Sequence, residues 1–184
     1  MKNKCTIYMI LFLIVLGFVI CRYNIVNRNI PKEYMIDKYC INDDVSLDNI
    51  SLKINSFKIE QRDKESDGDD NKEAILSITI KNTSSNELNV SDIVESSKLS
   101  KGIYYQDYCN VFEDVKKVNR LSVNDEMNLT LKYTLFARDI SKIDRNEEYK
   151  FYIGKSLYKM EIENKEKEGK LYGKYISLGR GDYE

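Results

Sequence analysis

The chain has 184 residues, and its 29 basic and 30 acidic side chains give a formal net charge of −1. This balance argues against a nucleic-acid-binding protein, which normally has an excess or a stripe of basic residues. The sequence contains no histidine, which excludes imidazole bases and histidine-ligated metal sites. The prevalence of Lys, Asn, Ile, Tyr, Asp and Glu indicates an AT-rich genome, as found in low-GC bacteria.

An uncharged apolar segment covers residues 5–21, between Lys4 and Arg22. A helix of this length spans about 25 Å, near the lower limit for a hydrocarbon core of about 30 Å, and snorkelling basic side chains extend its reach. Lysines followed by an N-terminal apolar run are typical of exported proteins. We therefore predict a signal anchor, a single transmembrane helix over residues 1–22, with the bulk of the chain extracellular and the cell membrane contacted through residues 5–21.

Two other fates of this segment remain open. A signal peptidase needs small residues before the cleavage site, and the segment ends in Gly-Phe-Val-Ile-Cys, which matches that pattern poorly. Lipidation of Cys21 is the second alternative, and Ile20 stands where a bacterial lipoprotein has a small residue.

Residues 23–44 are polar and include Pro31, the single proline of the chain. They predict a stalk between the anchor and a folded domain. We expect the domain to occupy residues 45–164, followed by a C-terminal hairpin strand and tail over residues 165–184.

Alternation of apolar and polar residues with a period of two begins near Val45 and predicts strands. In residues 50–60 the apolar parity switches, which predicts a β-bulge near Asn55 and Ser56. The clearest strands are predicted at residues 74–82 and 121–135, where alternation is regular from Leu76 to Lys81 and from Met127 to Leu135. Their predicted inward side chains are Leu76, Ile78, Ile80, Met127, Leu129, Leu131, Tyr133 and Leu135.

Weaker alternation predicts further strands at residues 102–112 and 149–154. Residues 155–163 and 171–178 are expected to pair as a hairpin, and residues 91–100 fit either a short helix or an irregular strand. Six to eight short strands separated by polar turns predict a mainly β chain folded as a β-sandwich.

Three segments resemble a known family: ILSITIKNTSSNELNV at residues 75–90, SKGIYYQDY at 100–108 and LSVNDEMNLTLKYTLF at 121–136. Over roughly residues 48–163, the chain is similar to immunoglobulin-like extracellular domains of unknown function from Gram-positive surface proteins and lipoproteins. The family's Pro-Gly turn is replaced by Val-Asn-Asp at residues 123–125. The resemblance implies an immunoglobulin-like β-sandwich outside the cell and supplies no catalytic residues.

The acidic segment DKESDGDDNKE at residues 63–73 approaches the spacing of a calcium-binding loop. Its candidate metal ligands are Asp63, Asp67, Asp69 and Asn71. Ala74 occupies position twelve, where such a loop has a bidentate glutamate. The alternative interpretation is a solvated hairpin loop between two strands.

Cys40 and Cys109 are the cysteines outside the anchor, and in an extracellular setting they are candidates for a disulfide. Two separate thiols are the alternative. Tyr104, Tyr105 and Tyr108 form a candidate aromatic binding patch, because tyrosine combines a large apolar ring with a polar tip. The alternative for these three is ordinary strand packing.

Together these features predict a non-enzymatic binding or interaction module without a cofactor. We expect its partner to be a protein or another component of the cell envelope, and not a nucleic acid. Two alternatives stay open: an envelope enzyme that uses carboxylates or Ca²⁺ at residues 63–73, and a structural spacer within a membrane complex.

Overall fold

The structure is a computed structural model that describes residues 2–27, 30–61, 71–106, 110–111, 120–144 and 146–180. The chain begins with a long helix, α1 (Lys2–Val26). Within it the 20 residues Ile7–Val26 are long and apolar enough to cross a membrane. At 1.5 Å per residue they span about 30 Å, which matches a hydrocarbon core better than the predicted segment does. A signal sequence has the same length and composition, so the helix is compatible with anchoring and with export alike.

The rest of the described chain is mainly β. In chain order its strands are β1 (Glu33–Cys40), β2 (Val45–Ser46), β3 (Ile50–Gln61), β4 (Lys72–Asn82), β5 (Leu88–Asn89), β6 (Lys98–Lys101), β7 (Tyr104–Gln106), β8 (Asn110–Val111), β9 (Arg120–Leu121), β10 (Glu126–Leu135), β11 (Tyr149–Tyr152) and β12 (Lys170–Gly179). The helices after α1 are α2 (Val90–Glu95), α3 (Ala137–Ile140), a 3₁₀ turn (Lys155–Tyr158) and α4 (Lys159–Lys167). Eight of these strands have three or more residues, in line with the predicted six to eight, and the other four have two residues each.

Two five-stranded sheets form the sandwich. Sheet I has the strand order β1-β12-β11-β6-β7, and sheet II has the order β2-β3-β4-β10-β8. β1 and β12 run parallel, whereas the other strand pairs described in these sheets are antiparallel. Without β1 and β2, the two orders correspond to the A-B-E-D and G-F-C strand orders of immunoglobulin-like sandwiches, with β7 added beside strand C.

β3 contains the predicted bulge. Its register against β4 shifts between Ile54 and Ser56, so that Asn55 is the extra residue. The shift keeps Leu52, Ile54 and Ile59 buried although their parity in the sequence differs. The sequence pattern and the backbone therefore agree at this position.

The hydrophobic core lies between the two sheets. The rings of Phe57 in sheet II and Tyr149 in sheet I are 5.2 Å apart at their centroids, which shows direct contact across the sandwich. All the predicted inward side chains of β4 and β10 are buried except Met127, which is partly buried and packs against the core. Burying one such side chain stabilises a fold by about 1.5–3 kcal/mol, so these two strands contribute much of the stability.

The predicted stalk over residues 23–44 is wrong for most of its length. Residues 23–26 continue α1, and residues 33–40 form β1, which pairs with β12 from Glu33 opposite Lys170 to Cys40 opposite Ser177. Tyrosines occur on both faces of this edge strand, so its apolar residues do not alternate.

The strand predicted at residues 155–163 is also wrong, since this segment forms the 3₁₀ turn and the start of α4. Leu157, Tyr158 and Ile162 pack on the core, a spacing that fits a helix, whereas Met160 is exposed. Its expected hairpin partner at residues 171–178 does form a strand, β12, which pairs with β1 and β11 instead. The ambiguous segment 91–100 contains both predicted elements, because α2 is followed by β6.

Candidate functional site

The outer surface of sheet I carries an aromatic cluster. In β11 and β12 the buried residues Phe151 and Ile176 face the core, so the adjacent positions face outwards. Four tyrosines from four strands lie on this surface, and we call them the tyrosine face: Tyr34, Tyr105, Tyr152 and Tyr175.

Strand register brings three of these tyrosines into a row. Tyr152 and Tyr175 are direct partners in the β11–β12 ladder, with ring centroids 5.6 Å apart. The Tyr105 ring lies 5.8 Å from that of Tyr152. On β6 the register partner of Tyr105 is Ser100, whose small side chain leaves room for this contact.

Tyr34 extends the cluster across β12. A Cβ atom added to Gly173 would lie 3.4 Å from the Tyr34 hydroxyl, so this tyrosine covers the backbone at the glycine. Tyr34 is 66% exposed and Tyr105 is 53% exposed, whereas Tyr152 and Tyr175 are half-buried between their neighbours. The face is therefore open to solvent at two of its four tyrosines.

Charged side chains border the tyrosine face. The Lys150 ammonium lies 5.5 Å from the Tyr175 ring centroid, within range of a cation–π contact. The carboxylate of Glu148 accepts a hydrogen bond from the Ser177 hydroxyl at 2.9 Å and pairs with Lys38 at 3.4 Å. These two partners hold the pKa of Glu148 below its usual value.

Burial raises the pKa of Tyr152 to about 12, and the neighbouring Tyr105 adds to this shift. The phenol therefore stays protonated at physiological pH and can donate or accept a hydrogen bond. An open aromatic surface with hydroxyl groups and a charged border suits contact with another molecule.

A second polar cluster lies on the inner side of β12, around the buried Lys174. Its ammonium pairs with the Glu161 carboxylate of α4 at 2.6 Å. It also lies 5.5–5.9 Å from the ring centroids of Tyr39, Tyr158 and Tyr172. The charge is thus neutralised and enclosed within the fold.

Tyr172 links this cluster to β1. Its hydroxyl is shared between the carboxylates of Asp37 and Glu161, the second at 3.0 Å. Burial and these two carboxylates raise the pKa of Tyr172 above its usual value. Because the polar groups satisfy one another, we interpret the cluster as a structural link among β1, β12 and α4.

Most of the predicted calcium ligands lie outside the described residues, namely Asp63, Asp67 and Asp69. Asn71 is described and buried, and its side-chain oxygen accepts a hydrogen bond from the backbone of Ala137 at 3.1 Å. Within the described part of the chain, no group of three acidic or cysteine side chains is placed to hold a metal ion. The calcium site stays a prediction.

Of the predicted aromatic patch, Tyr105 belongs to the tyrosine face. Tyr104 is half-buried, packs against the core, and donates a hydrogen bond to Gln106 at 2.8 Å, as the alternative interpretation expects. Tyr108 lies outside the described residues. Sequence reasoning missed the other three members of the face. Tyr152 and Tyr175 had a usable signal, because each alternates with buried residues in its strand. Tyr34 was missed because the segment that forms β1 was predicted to be a stalk.

The cysteine predictions stay untested. Cys21 is exposed on α1, and Cys40 is exposed at the end of β1. Cys109 lies outside the described residues, so its disulfide with Cys40 stays a prediction. The residue after Cys109 is Asn110, which begins β8. β8 is one edge strand of sheet II, and β2 is the other. Lipidation of Cys21 likewise stays a prediction.

Comparison with known proteins shows the fold but no family. No family model and no curated protein matches the chain. An uncharacterized β-sandwich protein from Clostridium difficile is similar in structure, with a TM-score of 0.51 and 11% identity over 80% of this chain and 97% of that one. This likeness confirms the predicted β-sandwich.

Two proteins from Bacillus subtilis match with lower TM-scores. For a candidate lipoprotein the TM-score is 0.41 at 18% identity, and the match covers 60% of this chain and 32% of that one. For the yjhA protein the TM-score is 0.46 at 10% identity, and the match covers 76% and 98%.

Proposed function

We propose that the chain is a non-enzymatic interaction module, held at the outer side of the cell membrane by α1, which binds a protein of the cell envelope through the tyrosine face. One observation carries this proposal: four tyrosines from four strands converge on an open sheet surface, and two of them are more than half exposed.

The composition of the surface supports a protein partner. Tyrosine is enriched at protein interfaces because its ring contributes a large contact area and its hydroxyl stays hydrogen-bonded. Clusters of exposed aromatic residues are uncommon on proteins that bind nothing, since they leave apolar surface in water. The Lys38–Glu148 pair and Lys150 supply the polar border that surrounds such contacts.

An extracellular location with a retained membrane anchor is part of the same proposal. The strand order of the two sheets fits the immunoglobulin-like sandwich that the sequence resemblance implies, and that resemblance is to extracellular domains of Gram-positive surface proteins. The 20-residue apolar span of α1 supports a retained anchor, and the basic residues before it are typical of exported chains. Mass spectrometry of the mature protein tests retention directly, because cleavage or lipidation changes the N-terminal mass.

A site-specific photocrosslink in intact cells tests the binding surface. A photoreactive phenylalanine derivative replaces Tyr105, and in a matched control it replaces Val123, which is exposed between β9 and β10. We expect a discrete crosslinked protein from position 105 and none from position 123. Equal crosslinking from both positions, or none from position 105 in correctly exported protein, would contradict the proposal.

Loss of the ring contacts provides the quantitative test. A Tyr105→Ser, Tyr152→Ser double variant removes the centre of the face and leaves the core residues in place. Truncating aromatic hot spots costs about 2 kcal/mol or more, so the affinity for the captured partner should fall about 30-fold. An unchanged affinity would show that the partner binds elsewhere.

A further inference from the structure

We infer that a second surface, at the end of the domain where β1 and β12 begin, lies in the lipid–water interface of the membrane that α1 spans. This inference rests on the retained anchor of the proposed function and goes beyond it. The surface consists of four exposed side chains, and we call it the membrane-proximal patch: Ile30, Tyr34, Met35 and Leu171. Tyr34 is shared with the edge of the tyrosine face, so with the patch on the membrane a protein partner would contact that face through Tyr105, Tyr152 and Tyr175.

The connection between α1 and the domain is short. The α1 helix ends at Val26, and the backbone amide of Asn27 still bonds to Tyr23 of the helix at 2.9 Å. The backbone amide of Lys32 already bonds to Gly169 at 3.0 Å, at the turn before β12. From Val26 to Lys32 there are six residue steps of at most about 3.6 Å, so this turn lies within about 20 Å of the helix end.

The residues at this turn are suited to the interface. Tyr34 and Leu171 are register partners at the start of β1 and β12, so they lie side by side. Ile30 precedes β1 within the short connection, and Met35 follows Tyr34 with its side chain on the opposite face of β1, so the patch extends around the start of this edge strand. Tyrosine is enriched at membrane–water interfaces, and aliphatic side chains there leave water for the acyl region. The tether keeps these residues near the membrane surface and so raises their effective concentration.

The charge of the neighbouring segment favours an apolar contact over an electrostatic one. Residues 165–170 read KEKEGK, with basic and acidic side chains in alternation. The ammonium groups of Lys165 and Lys170 both lie near Glu168, at 3.3 and 3.2 Å. Docking should therefore occur on zwitterionic lipid and change little with salt.

The sequence contains no tryptophan, so a single introduced tryptophan is a clean fluorescent reporter. The full chain is reconstituted into phosphatidylcholine vesicles that carry brominated acyl chains, which quench nearby tryptophan. The reporter is Leu171→Trp. One control is Phe12→Trp within α1, and the other is Ile103→Trp, which is 93% exposed between β6 and β7. Ile103 lies at the opposite end of sheet I, about 30 Å away along β12.

We expect severalfold stronger quenching and shorter-wavelength emission for Leu171→Trp than for Ile103→Trp. Adding Tyr34→Ser should reduce the quenching of the Leu171→Trp reporter, with circular dichroism confirming that the variant is folded. If Phe12→Trp is quenched while Leu171→Trp behaves like Ile103→Trp, docking is refuted and the anchor stands. If Phe12→Trp itself is not quenched, the anchor fails and the inference fails with it.

Discussion

The pairing of Lys174 with Glu161 predicts an asymmetric response to mutation. The lysine side chain is 5% exposed, whereas the glutamate side chain is 39% exposed. Glu161→Gln therefore leaves an ammonium group without its counter-ion in a site that water barely reaches. Lys174→Met leaves a carboxylate that water can hydrate, and the methionine keeps most of the apolar stem in place.

The expected magnitudes follow from these exposures. Removing one partner of a buried ion pair costs about 3–5 kcal/mol when the other charge stays buried. The three surrounding tyrosine rings still stabilise the ammonium group, each by roughly 0.5 kcal/mol, so we expect Glu161→Gln to cost about 2–3 kcal/mol. Lys174→Met should cost only about 1 kcal/mol, since the remaining carboxylate is partly solvated. The double variant should be more stable than Glu161→Gln alone.

Urea denaturation of each variant, followed by tyrosine fluorescence and circular dichroism, measures these differences as shifts in the midpoint at constant m-value. Glu163→Gln, on the exposed surface of the same helix, is the matched control and should shift the midpoint little. A loss for Lys174→Met that equals or exceeds the loss for Glu161→Gln would refute the reasoning from burial.

Three further outcomes are expected. Gly154→Ala should lose about 3 kcal/mol of stability in the same assay, because a Cβ atom there would lie 2.5 Å from the backbone oxygen of Ser96. A urea midpoint close to that of the unmodified protein would contradict this. Asn82→Ala should lose about 3 kcal/mol of stability, because the buried side-chain amide donates to two backbone oxygens and accepts two hydrogen bonds from Ser84. A cost under 1 kcal/mol would show that water replaces these four hydrogen bonds in the variant. The pKa of Tyr152, raised to about 12, lies above the unfolded value of about 10, so its contribution to stability is present below pH 10 and is lost as the pH rises towards 12. Tyr152→Phe should flatten the fall in unfolding free energy over that pH range, and an identical pH profile would contradict the assignment.

The sequence predicts the sandwich well for strands that have one face in the core and the other in solvent, because their apolar and polar residues alternate. β10 alternates along its full length, and the parity switch at Asn55 locates the bulge in β3. Within the segment at residues 75–90, Asn82 has a physical role, because its side-chain amide donates a hydrogen bond to the backbone oxygen of Leu121 and so fixes the end of β4. These features depend on neighbours close in sequence or on simple alternation, which a single sequence contains.

The elements that were misread depend on distant partners. β1 places Asp37 inwards, where it meets Tyr172, 135 residues further along the chain. Without that partner, an inward carboxylate argues against a strand. The helix α4 had a local signal that the prediction overlooked: Gly169 adopts a φ of +77°, and its amide bonds to Glu166 at 2.9 Å, as at many helix ends.

The tyrosine face was predicted only at Tyr105, for a related reason. Its members come from four strands, and strand order brings them together. A sequence indicates which tyrosines face outwards once the strands are known, but their adjacency depends on the strand order β1-β12-β11-β6-β7.

The parallel pairing of β1 with β12 has a mechanical consequence. The eight register pairs from Glu33 to Cys40 lie side by side along both strands. If the chain is pulled between its N-terminal helix and the far end of β12, the force acts along these strands. The interstrand hydrogen bonds are then loaded together in shear rather than opened one after another. The domain should therefore resist tension along this axis, which is the direction of pull if α1 is the anchor that we propose.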